Sequence, residues 1–265
     1  MSTPVTGHTS ILPLLAYPAS HIRTPSFMNP ALAARGIDAL VVPWQVAPPA
    51  LGEVVQAMRR SESVAGLIAT VPHKTALPAL CDTLTTDAEA LGAVNVVRRG
   101  ADGALHGGTL DGEGFVSGLV QEGHALDGRS VLLLGAGGAG AAIALALCRH
   151  PIKRLIIANR SIEKAQDLAR LVTGLTGTPA EAGPADPAAA DVVVNATVLG
   201  MRPDDPLPVT TTSFRPGQLV AEAVMQPAHT RLLETAQAQG AATHAGEHMI
   251  RAQIDRLIDF LFEAS

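Results

Sequence analysis

Short apolar runs alternate with stretches of helical spacing along almost the whole chain. Residues 11–17, 39–44 and 66–69 read as buried strands, because each is a continuous apolar run too short for a helix. Between the first two, Pro25 suits the first turn of a helix running to residue 35, and residues 51–60 carry apolar positions at helical spacing. After the third strand comes Thr70-Val-Pro-His-Lys74, then a predicted helix to about residue 80 and another short helix over 82–90. Residues 94–98 and 104–106 flank Gly100-Ala-Asp-Gly103, whose turn residues predict a hairpin. Strands that alternate with helices imply a mainly parallel sheet, with the hairpin as an exception near its edge.

The second half continues the pattern. A connecting helix over 112–122 leads to strands at 130–134, 154–158, 191–195, 218–223 and 242–244, with helices at 141–149, 162–175 and 230–239. Residues 176–187 are rich in Gly, Pro and Ala and read as loop. From Met249 onward, Ile250, Ile254, Leu257, Ile258 and Leu261 fit a 3.6-residue period.

The strand at 130–134 runs straight into Gly135-Ala136-Gly137-Gly138-Ala139-Gly140 and then a helix. Strand, Gly-x-Gly-x-x-Gly and helix, in that order, make a dinucleotide-binding turn. The first glycine permits the turn, the second lets the backbone approach a pyrophosphate, and the third lets helix and strand pack closely. The next strand ends in Asn159-Arg160-Ser161, where a carboxylate would hold the ribose 2′-OH of NAD. Arg160 and, one helical turn on, Lys164 favour a 2′-phosphate instead, so NADP is the expected cofactor.

Composition narrows the classes. Hydrophobic residues make up 47% of the 265 residues, enough for a sizeable core. Aromatics at 3% and a net charge of −5 argue against nucleic acid as a partner. Cys81 and Cys148 form no disulfide framework or zinc spacing, and no metal site is expected among the histidines. The run at 11–16 is too short for a membrane span and lacks the positively charged n-region of a signal peptide, which makes the cytoplasm the expected compartment. Taken by spacing alone, Lys74 reads as a solvated lysine at a helix start, and Asp111, in Gly107-Gly-Thr-Leu-Asp-Gly-Glu-Gly114, as part of a turn.

Seven segments, in order, change that reading, and together they resemble the shikimate/quinate dehydrogenase family. They are His21-Ile-Arg-Thr-Pro25 with Asn29, Thr70-Val-Pro-His-Lys74, Gly92-Ala-Val-Asn95, Gly135–Gly140, Asn159-Arg-Ser161, Asn195-Ala-Thr-x-x-Gly-Met201 and Gly246-x-x-Met-x-x-x-Gln253. The resemblance implies an α/β chain of two domains. Residues 1–110 with 246–265 would bind substrate, and 111–245 would form a Rossmann-type NADP domain, with the C-terminal helix returning to the first domain so that Gln253 reaches the cleft. It implies interconversion of 3-dehydroshikimate and shikimate, or of a related cyclic hydroxy acid, by a monomer or homodimer. Lys74 and Asp111 would be the catalytic pair, and Lys74 has two open roles, as acid/base or as positioning group. Thr24, Thr70, Asn95 and Gln253 would bind substrate. Ala196, Thr197 and Met201 would line the nicotinamide pocket, and Gly246 would join the cofactor contacts.

Departures from the family pattern gather around the substrate. The family's His-Ser-x-Ser-Pro has Ile22 and Thr24 at its hydroxyl positions here, and the Tyr of its Asp-x-x-Tyr-x-Pro becomes Met225, while Glu222 replaces the Asp. Ala69 and Thr109 also stand where the family has Asn. Loss of one hydrogen bond to a charged carboxylate weakens binding by about ten- to a hundredfold. The expectation is therefore weak shikimate activity or a differently substituted ring acid. A second reading is a sensor of NADPH or a ring acid without efficient turnover; retained Lys74 and Asp111 speak against it. A related folate-type dehydrogenase fits the second-strand and C-terminal motifs poorly.

Overall fold

The computed structural model describes residues 5–20 and 22–262. Its contacts divide the chain into two compact units, one up to Leu110 together with the residues from Gln253 on, the other Asp111–Ala252.

The first unit carries a sheet of β1 (Ser10–Ala16), β2 (Ala39–Gln45), β3 (Gly66–Ala69), β4 (Thr83–Leu84), β5 (Val96–Arg99) and β6 (Leu105–Gly108) in the order β2-β1-β3-β5-β6-β4. β1 pairs parallel with β2 and β3, while β5 runs antiparallel to β3 and β6, as the hairpin turn required. The helices are α1 (Thr24–Ala34), α2 (Leu51–Arg59) and α3 (Thr86–Leu91). Leu15, Leu51, Val55, Met58, Leu67, Leu77 and Val97 form one apolar core between α2 and the sheet.

Three expectations fail in this unit. Residues 39–44 form a strand, but an edge one, so Val42 and Trp44 are exposed rather than buried. The helix predicted from Lys74 to residue 80 is absent; the segment is a series of turns ending in a 3-10 turn at Pro78–Leu80. Pro78 has no N–H to donate back to the Lys74 carbonyl, which instead accepts from the Val94 amide. Residues 82–90 begin as a strand, because the Asp82 carboxylate takes the Leu105 amide at 2.7 Å and Arg59 at 2.5 Å, and α3 starts only after the Thr85 cap.

The second unit contains α4 (Asp111–Gln121), β7 (Ser130–Leu134), α5 (Gly138–Cys148), β8 (Arg154–Ala158), α6 (Ile162–Thr176), β9 (Ala180–Ala182), β10 (Val192–Asn195), β11 (Leu219–Glu222), α7 (Arg231–Ala238) and β12 (Ala242–His244). Its six strands are all parallel, in the order β12-β11-β10-β7-β8-β9. This is the doubly wound nucleotide-binding order, with its switch point between β7 and β10. β9 falls in the stretch expected as loop; it is a three-residue edge strand with no apolar run to betray it. β7 is buried along its whole length, as a central parallel strand must be. A Cβ on Gly112 would lie 2.0 Å from the Ala142 carbonyl oxygen, so α4 and α5 touch backbone to backbone there.

α8 (Glu247–Phe262) belongs to the second unit up to Ala252 and to the first from Gln253. In the first unit, a Cβ on Gly66 would meet Leu261 at 2.7 Å and one on Gly108 would meet the Phe260 ring at 2.8 Å. Arg35 of α1 holds Asp255 and Asp259. The helix thus returns to the first sheet, and each of Leu257, Ile258 and Leu261 stabilises it by about 1.5–3 kcal/mol through burial. Among the described residues no helix is long and apolar enough to cross a membrane.

Three histidines cluster in the second unit. His244 ends β12, is buried, and its Nε2 has no hydrogen-bond partner among the described residues. The rings of His124 and His248 lie 5.4 and 4.6 Å away, Phe115 stands edge-on, and Glu122 bonds His248 at 3.1 Å. Burial and then the two imidazoles push His244 down from 6.5 to about 4. The unfolded chain therefore takes up this proton first, and stability is lost as pH falls from about 6.5 toward 4, by up to roughly 1.4 kcal/mol per pH unit. In denaturant titrations at pH 7, 5.5 and 4.5, His244→Phe should lose less stability than wild type; equal losses would rule out this linkage.

Candidate functional site

In the first unit Thr70 and Lys74 follow the carboxyl end of β3, where open α/β sheets bind ligands, and Asn95 stands beside it at the amino end of the antiparallel β5. Thr70 follows β3, and its amide donates to the Leu15 carbonyl at 3.0 Å. The turn after it is fixed by a buried residue that spacing did not single out. His73 Nε2 donates to the Val46 carbonyl at 2.9 Å, and the His73 carbonyl accepts from both Ala76 and Leu77. Burial lowers the His73 pKa, against the bond to the Val46 carbonyl, which raises it. Lys74 follows directly; it is half-buried, and its carbonyl accepts from Val94 at 2.9 Å.

Asn95 follows Val94 and is 3% exposed. Its backbone bonds Ala69 and Gly108, tying β3 to β6, and its Oδ1 accepts the Leu110 amide at 2.9 Å. Leu110 immediately precedes Asp111, so a buried carboxamide sets where the acidic residue leaves the sheet. Asp111 opens α4 and is buried, a position where the helix dipole favours a carboxylate.

Of the substrate loop, His21 lies outside the described residues. Ile22 is half-buried, and Thr24 is the buried first residue of α1. Asn29 grips the edge strand through Val41, accepting its amide at 2.8 Å and donating to its carbonyl at 3.3 Å, which makes it a clamp between α1 and β2. Gln253 is buried in α8.

In the second unit the glycine turn separates three physical demands. Gly135 has φ +105 and lies 3.1 Å from the Ala196 carbonyl oxygen through its built Cβ; any side chain there is strained. A Cβ on Gly140 would sit 2.3 Å from the Gly135 carbonyl oxygen. Gly137 is different: among the described residues nothing would lie within 4 Å of a Cβ there, and its φ of −84 suits any residue. The space beside Gly137 is open, as a close backbone approach by a pyrophosphate needs. Gly137 also caps α5 without a side-chain bond, leaving the helix's first amides to a ligand, with Gly138 and Ala139 in its opening turn. This cradle fits a dinucleotide pyrophosphate.

Asn159 at the end of β8 accepts the Ala136 amide at 3.2 Å and donates to the Ser161 carbonyl at 2.9 Å, joining the glycine turn to the Arg160 turn. Arg160 and Lys164 are exposed there. Ser161 caps α6, and its hydroxyl donates to Glu163 at 2.7 Å, a carboxylate that the motif reading passed over. That bond lowers the Glu163 pKa.

Ala196, Thr197 and Met201 sit on a turn hung from one buried side chain. Asn195 Oδ1 accepts from the amide and hydroxyl of Thr197 at 3.0 and 2.7 Å, and its Nδ2 donates to the Leu199 carbonyl at 3.0 Å. Asp205 accepts the Gly200 and Arg202 amides, both at 3.0 Å. Met225 is half-buried, and a Cβ on Gly246 would lie 2.3 Å from the Val224 carbonyl oxygen, so Gly246 is there for a close backbone approach. Among the described residues no group of His, Cys, Asp and Glu could hold a metal ion. Gly137→Ala should leave the melting temperature unchanged and weaken NADPH binding by roughly tenfold or more, read by nucleotide fluorescence. Unchanged affinity would show that Gly137 does not face the cofactor.

Two family models match the chain: the shikimate dehydrogenase substrate binding domain over residues 14–97, and shikimate / quinate 5-dehydrogenase over residues 119–200. A protein of Rubrobacter xylanophilus named shikimate dehydrogenase (NADP(+)) is 40% identical, across 96% of this chain and 91% of its own length. The structure is similar to shikimate 5-dehydrogenase of Listeria monocytogenes in complex with shikimate and NAD, with TM-score 0.88, 29% identity, and 100% and 96% of the two chains covered. It is also similar to the shikimate 5-dehydrogenase of Thermus thermophilus in complex with NADP(H) and shikimate, with TM-score 0.83, 27% identity, and coverage of 97% and 94%. With both folding units, the ordered motifs and near full-length identity in agreement, the chain belongs to the shikimate dehydrogenase family.

Proposed function

We propose that this protein is an NADP-dependent oxidoreductase that interconverts shikimate, or a closely related cyclic hydroxy acid, and its ketone. The observation that carries this reading is the 40% identity along nearly the whole chain to a relative named as an NADP-dependent shikimate dehydrogenase. The glycine turn supports it independently, because Gly135–Gly140 join the central parallel strand β7 to the start of α5 with open space beside Gly137.

NADP, when bound, accepts the hydride from the carbinol carbon or returns it to the ketone. The protein handles everything else. Gly137 and the first amides of α5 take the pyrophosphate, and Arg160 with Lys164 takes the 2′-phosphate. Oxidation of the alcohol also releases the hydroxyl proton, and Lys74 and Asp111 are the residues assigned to hold and move it. In the direction of reduction the Lys74 ammonium would give its proton to the carbonyl oxygen as the hydride arrives, and in oxidation the neutral amine would take the hydroxyl proton back. Thr70, Asn95 and Gln253 are assigned to the ring hydroxyls and Thr24 to the carboxylate.

Ile22 brings no hydrogen-bonding group to a carboxylate, and Met225 brings no hydroxyl. The substrate should accordingly be held less tightly at its carboxylate than in a relative with both hydroxyls, by about ten- to a hundredfold. The reading is tested with Lys74→Ala and Asp111→Asn in NADP-linked oxidation of shikimate. Each should lower kcat by roughly 10²–10⁴ while NADPH affinity stays at the wild-type value. A Lys74→Ala variant with wild-type kcat would remove Lys74 from the proton path.

A further inference from the structure

The second unit buries a carboxylate whose hydrogen-bond partners are all neutral. Glu222 ends β11, directly opposite Asn195 of β10, and both are fully buried. Its Oε2 accepts from Asn195 Nδ2 at 2.9 Å, its Oε1 accepts from the Thr230 hydroxyl at 2.7 Å, and the Val224 amide also donates to it. Thr230 in turn caps α7 through the Leu233 amide. One carboxyl therefore joins the Asn195 turn, the loop leading to Met225, and the start of α7.

We propose that Glu222 is a positioning residue for the reaction, setting the 195–201 turn through Asn195 and the Met225 loop through the Val224 amide, and that its ionisation tightens both. The proposal rests on the reading of that turn as the nicotinamide-side wall.

The chemistry of the partners gives the direction. Asn195 Nδ2 and the Val224 amide can only donate, so they suit an ionised carboxylate, whose charge strengthens each bond. Once protonated, the acid must donate its own hydrogen. Of the three partners only Thr230 can accept it, and the Thr230 hydroxyl must then turn away. The neutral form holds the turn less firmly. The groups that face Glu222 are Asn195 from β10, Thr230 at the start of α7 and Val224 from its own loop, and none of them is charged. Burial pushes the carboxyl up from 4.5 to about 7, against the three hydrogen bonds that lower it. A folded pKa above the unfolded one means that stability from this group is lost as pH rises from about 4.5 to 7. Folding stability and site order thus respond to pH in opposite directions, which a purely structural residue would not produce.

The test compares wild type with Glu222→Gln and Glu222→Asp. NADPH dissociation constants are measured from pH 5.5 to 8.5, and the ratio of variant to wild type removes the titration of the nucleotide's own 2′-phosphate. For Glu222→Gln the ratio should rise about fivefold or more between pH 6 and 8, with kcat lowered at pH 8 and no loss of melting temperature there. Glu222→Asp should restore the pH step. Thr230→Val, which removes one donor, should move the step to higher pH. A flat ratio with unchanged kcat overturns the proposal. Should wild type bind no NADPH, the proposed function fails, and Glu222 is judged separately by hydrogen exchange without ligand. Protection of the Thr197 and Leu199 amides at pH 8 should fall about tenfold or more in Glu222→Gln, or in Glu222→Asp if the first does not fold; equal protection overturns the positioning role.

Discussion

A single hydrogen bond, from the Leu110 amide to the buried Asn95 carboxamide, fixes the exit from the first sheet toward Asp111. Asn95 can do this because its own backbone is already held on both sides, by Ala69 and Gly108. A buried amide left without its acceptor costs about 1–3 kcal/mol, so the arrangement is enforced by desolvation as much as by attraction. Asn195 repeats the device in the second unit, at the end of a strand, with its carboxamide gathering the following turn. Both asparagines stand where strand pairing gives way to loop and polar groups need new partners. The strand ends are thus the places where polar side chains can be buried and satisfied at once, and in each unit candidate residues stand there.

Much of this was legible in the sequence because it follows from strong local rules. β7, α5 and β8 follow from an apolar run, a glycine cluster and a second apolar run, and the helical spacing of Ile250, Ile254, Leu257 and Leu261 marks α8. Gly135, Gly137 and Gly140 look alike as letters, yet the structure gives them three different reasons: a positive φ, no protein neighbour, and a carbonyl too close for a Cβ. What the sequence hid depends on contacts far along the chain. Nothing local says that Asp82 will take the Leu105 amide and turn the first residues of a predicted helix into a strand, so that α3 starts only at Thr86. Nothing local says that β2 will be an edge, or that His73 will anchor the turn before Lys74 by reaching back to Val46. Glu222 passed as a substituted motif letter, and only its burial against Asn195 and Thr230 makes it a functional candidate.

The balance between shared chemistry and altered recognition is the main physical question. Lys74, Asp111, Thr70, Asn95 and Gln253 match the family pattern, whereas Ile22 and Met225 do not. Near the cofactor the balance is also mixed, since Arg160 and Lys164 favour a 2′-phosphate while Glu163 already occupies the Ser161 hydroxyl. The cationic pair is exposed and carries two positive charges against one negative, which leaves the phosphate favoured.

The most direct measurement is the initial rate of the wild-type protein with shikimate at alkaline pH, with NADP and NAD offered in parallel. The account predicts turnover with NADP, a kcat/KM for NADP above that for NAD by roughly tenfold or more, and a raised KM for shikimate. No reduction of NADP by shikimate, with NADPH bound tightly, would contradict it and leave a nucleotide-binding protein of this fold acting on something else.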